Sequence, residues 1–246
     1  MLTQQRQETI LKLLKERGSI TVTEIKDILN TSESTIRRDI TALDKEGKLT
    51  KVFGGAVPTD QTITAYEYTV AQKSDLNPEE KRRIAQYAAG LILPDDFVYL
   101  DAGTTTACLI DCISTSRATF VTNAVVHAQK LAARGIRAIL VGGELKSSTE
   151  AVIGNQAMKT LQDYHFTKGF FGANGVTKKS GFTTPDASEA LIKQTAMKQC
   201  RKRYVLCDYS KFDNVSSVTF SPFQSAVIVT DRKIKGYEDC ENIIVV

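Results

Sequence analysis

The sequence predicts an α/β protein in two parts. A winged helix-turn-helix fills residues 1–57 and a doubly wound parallel-sheet domain fills 75–246, with a linker over 58–74. Three observations carry this. The first 57 residues hold three short amphipathic segments followed by an alternating hairpin with a Gly54-Gly55 pair. From Asn77 onward, short near-continuous apolar runs alternate with helical periodicity, as expected of strands buried on both faces. The length, 246 residues, fits one or two domains at roughly 150 residues each.

In the head, the first helix opens at Leu2-Thr3, buries Ile10, Leu13 and Leu14, and stops at Gly18. Ile20 and Val22 bracket an extended step. Thr23-Glu24 then starts a helix that turns Ile25, Ile28 and Leu29 inward. Asn30-Thr31-Ser32 breaks that helix and offers an N-cap to a third over 33–46, which Gly47 closes. Residues 48–53 alternate polar and apolar, Gly54-Gly55 turns, and Ala56-Val57 returns as a hairpin. Residues 58–73 show weak periodicity and no glycine, which suits a linker with room for one strand.

The second part opens on Asn77-Pro78-Glu79-Glu80, which reads as an N-cap, a proline at the first helical position and a Glu at the third. Ile84, Ala88, Leu91 and Ile92 form its buried face. Strands are expected at 97–100, 119–122, 138–141, 169–172, 204–207, 226–229 and 243–246. The helices between them fall at about 105–113, 124–134, 151–162 and 186–200.

Composition narrows the function classes. With 42% apolar and 24% charged residues, disorder, collagen and coiled-coil architectures are out. No apolar run approaches the ~18–20 residues of a membrane span, and the start lacks a basic, then apolar, leader. A cytoplasmic protein without membrane contact is expected. The net charge of +4 is mild, and residues 1–57 hold ten Lys/Arg against eight Asp/Glu. A nucleic-acid argument therefore rests on where the charges sit. The five cysteines form no C-x-x-C pair, and Cys108 and Cys112 have no nearby histidine. Reduced thiols are expected, with no metal site and no cofactor.

The third helix carries the first functional pattern. At about 100° per residue, Ile36, Ile40 and Leu43 share one face. Ser34, Arg38, Thr41 and Lys45 occupy the opposite face, flanked by Thr35 and Arg37. Hydroxyls at a helix start followed by two arginines suit the major groove, where Arg donates in pairs to guanine. Asp39 lies beside the core stripe and is expected to brace another helix. Thr31 or Ser32 would support a phosphate on the helix N-terminus, and Lys48 and Lys51 would meet the backbone as a wing.

The second pattern is the loop Asp101-Ala-Gly103-Thr104-Thr105-Thr106, placed between a strand end and a helix start. Gly103 lets a backbone approach, and the hydroxyls add donors to free amides, a cradle for a phosphate. Other strand ends carry Asn123, Gly143 with Glu144, Asn174, and Asp208 with Lys211. Lys193 would reach in from the helix that begins near Asp186, and Asp186, Glu189 or Glu144 would accept sugar hydroxyls. Together they point to a polyol-phosphate site. His127 and His165 lie on or near helices, where a structural role is expected.

The segment S-E-S-T-I-R-R-D-I (32–40), with Leu43, Gly47 and Gly54-Gly55-Ala56, resembles the DeoR family of bacterial sugar-operon repressors over essentially the whole chain. The family usually has His before the wing glycines, and here Phe53 stands there. The second half resembles the family's sensor domain, which is similar to ribose-5-phosphate isomerase and CoA-transferase-like folds and binds phosphorylated sugars. D-A-G-T-T-T, G-G-E (142–144), N-G (174–175) and D-Y-S-K (208–211) carry that likeness. S-T-E-A-V-I-G (148–154) and G-F-T-T-P-D (181–186) look most like fructose-operon repressors, which implies fructose 1-phosphate as effector, with a tagatose or galactitol phosphate as the alternative. The resemblance implies a homodimer or homotetramer on double-stranded operator DNA, released by the sugar phosphate. An activator would share all these residues. An isomerase with a DNA-binding head is the remaining alternative, and no catalysis is expected.

Overall fold

The structure, a computed structural model, describes residues 3–17, 20–52, 54–57, 63–64, 69–114 and 117–246. Gly18, Phe53 and most of the expected linker lie outside the described residues. The chain divides into two units between Thr62 and Ile63.

The first unit comprises α1 (Thr3–Arg17), β1 (Ile20–Thr21), α2 (Val22–Leu29), α3 (Glu33–Lys45), β2 (Thr50–Val52) and β3 (Gly55–Val57). Ile10, Leu14, Ile25, Ile36, Ile40 and Leu43 are its buried core. Thr21 caps α2: its hydroxyl accepts from the Glu24 amide at 3.1 Å while the Glu24 carboxylate accepts from the Thr21 amide at 2.8 Å. The helix therefore starts at Val22, ahead of the expected Thr23-Glu24. Val22, Ile25 and Leu29 then set the inward stripe, and Ile28 falls about a quarter turn away from it. Ile28, expected inside, is 45% exposed.

Ser32 caps α3 as expected, accepting from the Thr35 amide at 3.3 Å. Asp39 is buried and braces α1, taking a two-pronged bond from Arg6 whose Nη2 lies 3.0 Å from Oδ1. The extended step expected at Ile20 joins the hairpin as a third strand, because β1 pairs with β3 and sets Ile20 opposite Ala56. Gly55 thus lies in a strand crossing, where a Cβ would stand 2.1 Å from the Ile20 carbonyl oxygen. Gly54 takes the left-handed conformation of the turn, at φ +77°.

The second unit begins inside the expected linker, with β4 (Ile63–Thr64) and α4 (Val70–Ser74). It continues through α5 (Pro78–Gly90), β5 (Phe97–Leu100), α6 (Thr104–Cys112), β6 (Thr119–Thr122), α7 (Val125–Ala133) and β7 (Ala138–Leu140). Next come β8 (Glu144–Leu145), β9 (Val152–Ile153), α8 (Asn155–Gln162), β10 (Phe166–Gly172), β11 (Gly175–Thr177) and β12 (Gly181–Thr184). The chain ends through α9 (Ala187–Lys198), β13 (Cys200–Leu206), β14 (Val215–Ser216), β15 (Val218–Ser221), β16 (Val227–Thr230) and β17 (Ile243–Val245).

Seven of these strands form one parallel sheet in the order β17-β16-β13-β10-β5-β6-β7. Its strands are apolar on both faces. Val98, Leu100, Phe120, Phe170 and Leu206 pack with Ile84, Ile110 and Leu131 of α5, α6 and α7. Their neighbours Tyr99, Val121, Phe171 and Val205 face the other way, toward Leu161, Ala190, Ile192 and Met197 of α8 and α9. This is the doubly wound sheet expected from the uninterrupted apolar runs.

Several local expectations are corrected. Residues 151–153 belong to a strand pairing, with Val152-Ile153 in β9, and Gly154 at φ +95° delays α8 to Asn155. β10 and β13 begin earlier than expected because polar residues such as Thr167, Lys202 and Arg203 continue the ladder below the apolar run. A small antiparallel sheet, β11-β12-β15, was not anticipated. Asn77 sits at the N-cap of α5 but in a left-handed conformation without capping; its amide donates instead to Asp208 Oδ1 at 2.9 Å.

Winding direction fixes where a ligand belongs. The chain runs β5, β6, β7 to one side, then returns to lay β10 on the other edge of β5. The reversal leaves a crevice outside the carboxyl ends of β5 and β10, where open α/β sheets hold ligands. Among the described residues, no helix is long and apolar enough to cross a membrane, and no cluster of metal-ligating side chains assembles. All five cysteines are free thiols.

Candidate functional site

Two surfaces follow from this fold. On the head, α3 presents its polar face outward. Ser32, Ser34, Arg37, Arg38, Lys45, Lys48 and Lys51 are exposed, and Thr31, Thr35 and Thr41 are half-exposed. The hydroxyls cluster at the helix start: Ser32 Oγ lies 3.0 Å from Ser34 Oγ and 2.8 Å from Thr35 Oγ1. Arg37 is tied back to Glu33 one turn earlier, Nε to Oε1 at 3.1 Å, and Glu33 also places a negative charge on the first turn. Thr41 donates to the Arg37 carbonyl at 2.8 Å and accepts from Lys51 Nζ at 2.9 Å. The Lys51 amine is thus folded onto α3, and Lys48 pairs with Glu46 at 2.8 Å. Arg38 and Lys45 make no ion pair among the described residues, so they are the cations of α3 free to meet another charge.

The crevice of the second unit is built on a buried ion pair. Asp101, the first residue past β5, is 1% exposed and pairs with Lys193 of α9. Its Oδ2 accepts from the Gly172 amide at the end of β10 at 2.9 Å, and Lys193 also donates to the Gly172 carbonyl at 3.2 Å. The pair therefore bolts the two strands that flank the switch point. Burial pushes the Asp101 carboxyl above the usual range, against the pull of Lys193 and the Gly172 amide. Lys193, expected to reach a ligand, is committed to this bolt.

The loop above it is fixed from three sides. Asn123 Oδ1 accepts from the Tyr99 hydroxyl and the Ala102 amide, each at 3.0 Å, and its amide donates to the Val152 carbonyl at 3.2 Å. Thr106 is fully buried and bonds the carbonyls of Asp101 at 2.7 Å and Gly103 at 2.9 Å. His127 of α7 is buried, and its Nε2 lies 3.1 Å from the Gly103 carbonyl oxygen, so this nitrogen carries the proton. Desolvation pulls its pKa to about 4, which keeps the ring neutral. Asn123 and Thr106 thus shape the loop, whereas Gly103 and Thr104 line an adjoining cavity of about 300 Å³. Thr105 is buried beside them.

That cavity is walled by α4, α6 and α7, with Val70, Cys108, His127 and Lys130 among its lining, and Thr149 and Glu150 border it from the β8–β9 loop. Lys130 is held by Asp111 at 2.7 Å. The loop is strapped down: Thr149 donates to Glu189, and Lys146 reaches Glu189 at 3.2 Å and Asp186 at 3.1 Å. Asp186 also caps α9, accepting from the Glu189 amide at 2.8 Å. Asp186 and Glu189, expected to accept sugar hydroxyls, instead anchor this strap.

The remaining expected residues scatter. Glu144 is exposed on β8, and Gly143 is needed there because a Cβ would stand 2.5 Å from the Ile153 carbonyl. Asn174 accepts from the Thr184 hydroxyl at 3.3 Å. Asp208 is buried, holding Asn77 and the Ser210 amide, and Lys211 stands half-buried without an ion pair among the described residues. Lys211 does find a companion the sequence reading missed. Lys81 of α5 is 4% exposed and bonds the Lys73 carbonyl, with no carboxylate in ion-pair range among the described residues. Burial lowers its pKa, and the charge of Lys211 lowers it further. A helical wheel held the signal, since Lys81 lies on the stripe of Ile84, Ala85 and Ala88.

Family comparisons match this layout. The DeoR-like helix-turn-helix domain matches residues 6–62, and the DeoR C terminal sensor domain matches residues 76–232. The chain belongs to the DeoR family. It is 40% identical over 231 residues to the protein named uncharacterized HTH-type transcriptional regulator FruR of Bacillus subtilis (strain 168), covering 94% of this chain and 91% of that one. It is 35% identical to the lactose phosphotransferase system repressor of Streptococcus mutans, covering 94% and 93%. As a DeoR-family member it is a DNA-binding transcriptional regulator. Among solved structures, ribose 5-phosphate isomerase a from Methanocaldococcus jannaschii aligns over 55% of each chain, at 15% identity and a TM-score of 0.42. The sorbitol operon regulator SorC from Klebsiella pneumoniae aligns over 82% of this chain and 89% of its own, at 15% identity and a TM-score of 0.38.

Proposed function

We propose that this regulator represses a sugar uptake or catabolic operon and that a phosphorylated sugar, fructose 1-phosphate, releases it from the operator. One observation carries the effector class. At the switch point a loop with a helix N-terminus that no side chain caps, Gly103-Thr104, stands over a buried scaffold, and the same unit holds two lysines, Lys81 and Lys211, without carboxylate partners in ion-pair range among the described residues. Free amides, a helix dipole and unpaired ammoniums are the chemistry that holds a phosphate. The motif likeness of residues 148–154 and 181–186 to fructose-operon repressors supports the sugar.

Binding without turnover fits the site. Isomerisation needs a carboxylate free to act as base near the sugar. Asp186 and Glu189 are engaged by Lys146 and Thr149, Asp111 by Lys130, and Glu144 is exposed away from the cavity lining, which leaves Glu150 as the carboxylate of the lining whose replacement by Gln would test for turnover. On DNA, paired heads of a homodimer or homotetramer would read half-sites about one helical turn apart, with Arg38 toward the bases. Effector binding must favour the non-binding arrangement, and a 100-fold release corresponds to about 2.7 kcal/mol of differential affinity.

The test is a mobility-shift titration of the promoter fragment nearest the chain's own gene, with fructose 1-phosphate as competitor. Retardation that fructose 1-phosphate reverses, while fructose and inorganic phosphate do not, is the expected result. Retardation indifferent to every phosphorylated hexose in a panel would remove the effector assignment.

A further inference from the structure

The walls of the cavity beside α6 differ in what holds them. α6 buries Thr105, Thr106, Leu109 and Ile110, and α7 buries His127 and Leu131. The β8–β9 loop is strapped to the start of α9 through Lys146 and Thr149. α4 is different: it is five residues long and none of them is buried. A capping box starts it. The Thr69 hydroxyl accepts from the Gln72 amide at 3.3 Å, and the Gln72 side chain accepts from the Thr69 amide at 2.9 Å. The Val70 amide reaches the Ser148 carbonyl at 3.4 Å, and the Lys73 carbonyl accepts from Lys81. Val70 and Ser74 nevertheless line the cavity, whose volume is about 300 Å³. A close-packed wall resists displacement, whereas a short segment held by polar tethers, with no side chain in the core, opens at low cost.

α4 also lies on the covalent path from the cavity to the head. It follows β4, the strand with which the second unit begins, and β4 pairs with β14, Ile63 opposite Val215 and Thr64 opposite Ser216. Beyond α4, the Asn77 amide is held by Asp208 at 2.9 Å. The chain is thus fastened on either side of α4, and α4 between the fastenings borders the cavity. We propose that the effector seats α4 on its cavity, and that the seated form is the arrangement in which the regulator lets go of its operator. This rests on the sugar-phosphate reading above and adds the element through which the effector acts. A ligand shifts an equilibrium only through its differential affinity for two arrangements. α4 is the wall able to supply two. A bound sugar phosphate meets Val70 and Ser74 only while α4 is in place, so occupancy favours the seated form. Because the effector releases DNA, the seated form must be the one with the weaker hold on the operator.

Hydrogen exchange and operator binding of the full-length protein test this, with fructose 1-phosphate as the probe and calorimetry to establish that it binds. In wild type, saturating fructose 1-phosphate should slow exchange of the α4 amides by at least about fivefold. Slower exchange at the start of α6 with α4 unchanged would overturn the inference. Thr69→Ala combined with Gln72→Ala removes the capping box without altering a residue of the cavity lining or the core. The fructose 1-phosphate concentration for half-release from the operator should then rise roughly 2- to 30-fold, while operator affinity without effector holds or rises. Thr69→Ser keeps a capping hydroxyl and should respond within about twofold of wild type. A half-release concentration equal to wild type in the double variant, or weaker operator binding in the absence of effector, would refute the role of α4. If the double variant fails to fold, exchange in wild type decides alone. Should calorimetry show no binding of fructose 1-phosphate to wild type, the sugar-phosphate reading falls and this inference with it. Binding and release with an unchanged α4 sink this inference alone.

Discussion

Replacing Lys193 with Met isolates what the buried bolt at the switch point contributes. Met keeps an unbranched chain of similar length beside Phe220, over whose ring the ammonium lies at 5.6 Å. The ammonium is lost from Asp101 and from the Gly172 carbonyl, and the carboxylate keeps the Gly172 amide at 2.9 Å. Removing one partner of a buried pair strands the other charge, at a cost of about 3–5 kcal/mol. In a unit of this size each kcal/mol moves the midpoint by about 2–4 °C, so the melt should fall by roughly 6–20 °C at neutral pH.

The pH dependence gives the sharper check. Burial already holds the Asp101 carboxyl above the usual range, with Lys193 opposing. Without Lys193 the folded pKa climbs further above the unfolded value of about 3.9. A carboxyl raised on folding binds its proton more tightly in the folded state, so stability is lost as pH rises from about 4 through the folded value. The deficit of Lys193→Met against wild type should therefore be smaller at pH 5 than at pH 8. Scanning calorimetry of the full-length protein at both pH values reads this. A deficit under about 1 kcal/mol at pH 8, or one that does not change with pH, would refute the assignment of the pair as a load shared between β5 and β10.

Three further outcomes follow from the head. Arg38→Ala should weaken operator binding by about 1–3 kcal/mol and relax preference at one base position; a binding-site selection that returns the wild-type consensus would contradict its place on the base-reading face. Arg6→Ala should destabilise the head by about 3–5 kcal/mol, because it strands the buried Asp39, and heat denaturation followed by helical signal measures it. Gly55→Ala should disrupt the β1–β3 crossing, since the added carbon would meet the Ile20 backbone. A loss of about 1–3 kcal/mol is expected there, and a melt equal to wild type would show that β1 yields at no cost.

Much of this protein was legible in the chain itself. The strands of the main sheet were readable because a parallel strand covered on both faces is apolar over a near-continuous run, and runs such as Phe97–Leu100 admit little else. The wheel of α3 was readable because one buried stripe of Ile36, Ile40 and Leu43 sets every other residue's direction. The Asp39 brace was legible for the same reason, although its partner Arg6, 33 residues away, was not.

What escaped was pairing between distant segments. Two-residue strands such as β8 and β14 carry too few side chains to announce a period, and they exist because a partner strand supplies their hydrogen bonds. The same limit applied to the charges. Lys193, Asp186 and Glu189 have the composition of ligand-binding groups, and only the folded chain turned them toward Asp101, Lys146 and Thr149. His127 moved the other way, from an expected structural residue to the lining of the cavity, and Lys81, which the sequence did not single out, proved buried near the charge of Lys211. A sequence determines which face of an element is apolar, because that depends on neighbours three or four residues away. Which polar groups are consumed by the scaffold and which remain free depends on contacts across scores of residues, and only the tertiary structure decides that.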